Sequence, residues 1–129
     1  MDDDATKEEW TYKGRRCKIV MDPDLGHYCG YIRTGLRGSL TTTKIHRLVD
    51  VNGGITYGVD EDGWIGFDCA HSHDICVDEN GEPTSDFFAD KDDEHSIVWT
   101  PEKVKEEVEN LADQFEALEN IVHEARLRL

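Results

Sequence analysis

The chain has 129 residues, a normal size for one domain with one buried core. Its 29 acidic against 14 basic residues leave a formal net charge of −15, which disfavours nucleic acid as a partner over most of the surface, because that contact is driven by Lys and Arg displacing counterions; a local basic patch stays compatible with it. No apolar run approaches the roughly 20 residues that cross a bilayer, and the amino terminus is acidic, so the expectation is a cytoplasmic protein with no membrane association.

So many carboxylates beside so few lysines fit a halophilic cytoplasm, where salt screens charge repulsion over short distances; an ordinary acidic protein is the plainer alternative. Cys17, Cys29, Cys69 and Cys76 are read as reduced thiols, since nothing else suggests secretion, and metal binding stays open.

Residues 1–9 are polar and read as a disordered N-terminus, and residues 10–129 as a single α+β domain. Trp10–Tyr12 and Cys17–Met21 flank Lys13-Gly14 as two strands about a tight turn. Asp22-Pro23-Asp24-Leu25-Gly26 then breaks the chain before a third strand, His27–Arg33. Thr34–Thr43, rich in Gly and Thr, has no clear period and reads as a loop. Leu48–Val51 and Ile55–Val59 flank Asn52-Gly53-Gly54, a strong short-range hairpin signal. Asp60–Gly63 turns into the strand that begins at Trp64, giving a mostly antiparallel sheet of five or six short strands. Residues 78–96 form an acidic loop with Phe87-Phe88 as its apolar anchor.

The carboxy-terminal helix, 101–128, has the clearest signature. Thr100-Pro101-Glu102 supplies a capping hydroxyl, a proline at the first helical position and an acid in the first turn. Val104, Val108, Leu111, Phe115, Leu118, Val122, Ala125 and Leu129 then recur at steps of four and three. Such a helix is about 42 Å long, against a radius of gyration of about 14 Å for a domain of this size. Part of it should overhang, and the seam either packs on the sheet or also pairs with another copy as a homo-oligomer.

The stretch Gly63–Cys76, GWIGFDCAHSHDIC, gathers two of the four cysteines and two of the six histidines beside two aspartates. Cys69, His71, His73 and Cys76 are borderline or soft donors within one short segment, and Zn²⁺ takes Cys and His tetrahedrally. The spacing is not that of a zinc ribbon or finger, and Cys69 is in phase with Ile65 and Phe67, which suits a small buried side chain. Alternatively, His71 pairs with Asp68 or Asp74, the carboxylate orienting the ring and raising its basicity. His27 lies between glycines in Gly26-His27-Tyr28-Cys29-Gly30-Tyr31, and Gly53-Gly54 offers a similar opening where exposed N–H groups could meet an anion.

Gly26–Tyr31, Gly53-Gly54-Ile55-Thr56-Tyr57 and Trp64–His71 followed by Asp74 together resemble a family of small uncharacterised proteins from phages, prophages and archaeal viruses. The resemblance covers residues 10 to 76 and Val108–Ala112, and it implies no particular activity. The family pattern has a histidine where this chain has Asn52 and a glycine where it has His73, so His73 is a poor choice for a shared metal ligand. The matching positions His27, Asp68, His71 and Asp74 are expected to line a common ligand-binding pocket. The leading expectation is a viral or prophage accessory protein binding a small ligand or host protein there. The competing ones are a small hydrolase with His71 or His27 as general base, with or without metal, and a structural protein that oligomerises through Val104, Val108, Leu111, Phe115, Leu118 and Val122.

Overall fold

Lys13 and Gly14 both adopt positive φ, 50° and 81°, the conformation in which a two-residue turn matches the right-handed twist of the strands it joins. It connects β1 (Thr6–Tyr12) to β2 (Arg15–Met21) in a computed structural model that describes residues 6–35, 47–84 and 94–127. β3 (Tyr28–Arg33) and β4 (Trp64–Asp68) complete an antiparallel sheet in the order β1-β2-β3-β4. β5 (Asp74–Cys76) and β6 (Ile97–Trp99) form a separate parallel pair. The single long helix, α1 (Pro101–Leu127), lies mainly across β3 and β2. The architecture is therefore α+β, as the sequence implies.

Register and side-chain alternation divide the sheet into two faces. Cys17, Ile19, Tyr28, Ile32, Ile65 and Phe67 point to α1 and meet Val104, Val108, Leu111 and Phe115 in one core. Lys18, Val20, Cys29, Tyr31, Trp64 and Asp68 occupy the other face. There Gly66 leaves room for Tyr31, whose ring meets Tyr57 edge-on with centroids 5.4 Å apart.

The helix start follows its signature, with Thr100 Oγ1 accepting from the Lys103 N–H at 3.1 Å. The seam divides after Phe115. Val104, Val108, Leu111 and Phe115 are consumed by the sheet and are not available to a second copy, and Leu118 packs partly against the same core. The Val122 side chain lies outside the described residues, and Ile121 and Leu127 are 64% and 74% exposed, so the final turns overhang.

Three expectations need correction or limits. Asn52-Gly53 does turn the chain, with the Gly54 N–H donating to the Val51 carbonyl at 2.9 Å, but its flanks do not pair with each other. Asp50 is instead clamped by Gln114 of α1, and Thr56 and Tyr57 bond to Gly66 at the edge of β4, so other segments claim the backbone groups a hairpin would need. β1 begins at Thr6 rather than Trp10, because Thr6 and Glu8 pair with Val20 and Ile19, and Lys105 holds Glu8 at 2.9 Å. Residues 1–5, most of the loop Thr34–Thr43, Phe87-Phe88 and Leu129 lie outside the described residues.

Close approach of α1 to the sheet rests on Gly30. A Cβ there would stand 2.5 Å from Val108 Cγ2 and 2.7 Å from the Phe67 ring. Gly30→Ala should cost about 1–3 kcal/mol of stability through overpacking, read as a lower urea midpoint at unchanged slope; an unchanged midpoint would show that the helix can withdraw freely.

Candidate functional site: a buried aspartate beneath His71

Where β4 ends, Asp68 bends the chain, its Oδ1 accepting the Ala70 N–H at 3.1 Å. The return into β5 is shaped by Asp74, whose N–H donates to the His71 carbonyl and whose Oδ2 accepts the His71 N–H at 3.0 Å. Two aspartates thus build the loop that carries both histidines, because a short carboxylate can satisfy nearby backbone donors in a turn.

Asp74 has no exposed side-chain surface. Its Oδ1 accepts from Trp99 Nε1 at 2.8 Å, while Oδ2 accepts from Asn52 Nδ2 at 3.0 Å and is 2.6 Å from His71 Nδ1. Burial alone would push this carboxyl up, but the donors from Trp99, His71 and Asn52 outweigh it and hold the group below its ordinary value of 3.8. An ionised carboxylate only accepts, so Nδ1 is the protonated nitrogen of His71 and, in the neutral ring, Nε2 carries the lone pair.

Gly53 packs closely against this edge of the ring. A Cβ at Gly53 would stand 2.1 Å from both Cε1 and Nε2 of His71, so any other residue would press on this edge of the ring. Nε2 lies 3.7 Å from Asp68 Oδ1. His73 stacks on His71 with centroids 5.6 Å apart, and its Nε2 is 3.5 Å from Asp74 Oδ1. His71, His73 and Asp74 each bring a donor atom within 4.8 Å of the others.

The expected pocket residues converge in part. Asp68, His71 and Asp74 come together; His27 sits just before β3, where its carbonyl accepts the Asp22 N–H and the carbonyl of the adjoining Tyr28 accepts the Cys69 N–H. Among the described residues, the His27 ring has no hydrogen bond or ion pair with those three.

The expected metal set of Cys69, His71, His73 and Cys76 divides between two environments. Cys69 and Cys76 are buried, Cys76 Sγ reaching the Cys69 carbonyl at 3.4 Å, and the grouped donors among the described residues are His71, His73 and Asp74. The neighbouring Cys76 thiol and burial push the Cys69 thiol up, away from the thiolate that binds metal. Cys29 lies opposite Asp68, but burial, aided by the Asp68 charge, pushes its thiol up to about 11 and makes it a poor nucleophile near neutrality.

Asn52 and Trp99 are partners that the local sequence does not reveal as such. Neither stands in a motif with Asp74, and each reaches it from a segment more than twenty residues away in the chain. No protein-family model, no curated protein and no solved structure matches this chain. Among the described residues, no helix is long and apolar enough to cross a membrane.

Asp74→Asn would set an amide donor against either the Trp99 donor or the Asn52 and His71 donors and should cost about 3 kcal/mol. Because the folded carboxyl is held below its unfolded value, its contribution is complete above pH 3.8 and is lost as pH falls through the lower folded value. Chemical denaturation of both proteins across this range should show their stability difference shrinking only in acid; a gap that widens in acid would contradict the assignment.

Proposed function

We propose that the protein is a small binding protein whose ligand is a divalent transition-metal ion, held by His71 Nε2 and the Asp68 carboxylate, with His73 as a third donor. The observation that carries this reading is that Nε2 of His71 lies 3.7 Å from Asp68 Oδ1, two electron-rich groups that a cation can join. Donors about 2.1 Å from a tetrahedral ion lie about 3.4 Å apart, so this pair needs only a small closing movement. Asp74 fits the place behind the ligand better than a place on the metal. Both its oxygens are occupied, and a carboxylate accepting Nδ1–H orients a metal-binding imidazole and raises its basicity. His73 must rotate to join, because its ring lies within 14° of parallel to His71 and in-plane lone pairs on stacked rings do not converge; its side chain is 41% exposed and has room to turn.

The same geometry favours a second reading, a hydrolase in which His71 is a general base. A ring whose Nδ1–H is held by a buried carboxylate presents Nε2 for proton abstraction. The acidic composition and the motif resemblance support a setting in the cytoplasm of a salt-loving host, as a viral or prophage accessory protein.

Titration calorimetry with Zn²⁺, and Co²⁺ absorption to report coordination, test the metal reading. His71→Ala should abolish binding, Asp68→Asn should weaken it, and Asp74→Asn should weaken it roughly 10- to 100-fold, with circular dichroism confirming that each variant folds. If the folded wild-type protein takes up neither ion, or if His71→Ala binds as well as wild type, metal binding at this site is excluded. Ester hydrolysis lost in His71→Ala without added metal would then support the base.

A further inference from the structure

At the opposite end of the sheet from His71, four of the chain's 14 basic residues line one cleft. Lys13, Gly14, Arg15, Arg16, Arg33, Thr34 and Gly35 line an open, shallow cleft of about 360 Å³, within the size range of small-molecule sites. The register makes the two ends distinct: Arg33 pairs with Trp64 at the start of β4, and Cys29 pairs with Asp68 at its finish.

The arrangement of these cations is unfavourable for the protein alone. Cys17 pairs with Ile32, so the next rung sets Arg16 directly opposite Arg33 on the outer face, and like charges directly opposed in a sheet are destabilising. Nearby carboxylates only partly relieve this. Lys13 pairs with Asp113, Arg15 with Glu119 and Arg16 with Glu9, all but the Arg15 side chain largely open to solvent, and exposed pairs of this kind are weak and easily exchanged. Among the described residues no ion pair reaches Arg33; its Nε donates to the Asp62 carbonyl at 3.0 Å, leaving its two terminal nitrogens for another acceptor. A Cβ placed on Gly14 or Gly35 would meet nothing within 4 Å, so the walls of the cleft are open there.

We propose that this cleft binds a small phosphate-bearing anion. Arginine presents paired donors that match phosphate oxygens, and Arg16 and Arg33 supply two such forks on one face. The surrounding charge of −15 limits the ligand to a compact one, because an extended polyanion leaving the cleft would cross acidic surface.

Inorganic pyrophosphate titrated into the intact protein at low ionic strength tests the assignment. Saturable binding is expected, weakened roughly tenfold or more by Arg33→Ala and by Arg16→Ala. Arg47→Ala, which removes the same charge from an exposed position outside the cleft lining, should leave the affinity near that of wild type. The proposal fails if wild type shows no saturable binding, or if Arg47→Ala weakens it as much as the cleft variants do. A parallel titration with a nucleoside diphosphate separates the sources of this chemistry. Tighter binding than pyrophosphate assigns the cleft to nucleotides, and equal affinity assigns it to free phosphates.

Discussion

The structure around the site depends on a carboxylate that water does not reach. Removing Asp74 from solvent is costly unless its charge is answered, and here the answer comes from Asn52, the backbone and ring of His71, and Trp99. These donors belong to three segments distant in the chain, two of which also pair as β5 and β6. The turn at Asn52-Gly53, the loop after β4 and the strand before α1 are thus held in one arrangement by one buried anion. The orientation of His71 follows from it: the ring that gives its Nδ1–H to Asp74 on one side is obliged to present Nε2 on the other. Stability and site chemistry share the same hydrogen bonds, so the site needs no separate scaffold.

Around this centre the sheet is covered on both sides. α1 lies close over one face because Gly30 offers no side chain, and Tyr31 and Tyr57 meet over Gly66 on the other. The segment between β3 and β4 is drawn in by Gln114, whose amide both donates to and accepts from Asp50. That clamp carries the neighbouring Gly53 to the edge of His71. The charge distribution is equally uneven: a strongly acidic chain collects arginines at the end of the sheet remote from the histidines. The length of the strands separates this arginine cluster from the His71 and Asp74 cluster.

How much of this is legible in the chain varies with the range of the forces involved. α1 could be read because capping and a four-three apolar rhythm act within a few residues, and Thr100 and Val104 behave accordingly. The Lys13-Gly14 turn was legible for the same reason. β5 and β6 were not: each has three residues, too few to establish a period, and their parallel pairing joins residues more than twenty positions apart. Asn52-Gly53-Gly54 carries a true turn signal, but whether a turn becomes a hairpin depends on where its flanks find partners. Here Asp50 goes to α1, and Thr56 and Tyr57 go to the edge of β4.

For the site, composition and spacing alone marked Asp68, His71 and Asp74 as neighbours, because they lie within one turn-forming stretch. The sequence by itself determined the α+β class, the acidic surface, the capped helix and this local cluster, all consequences of interactions over short stretches of chain. Tertiary structure alone decided that Asp74 is the aspartate buried, that Asn52 and Trp99 complete its shell and that Cys69 and Cys76 turn into the core. A buried charge selects its donors by position in space, and that selection has no local imprint in the order of residues.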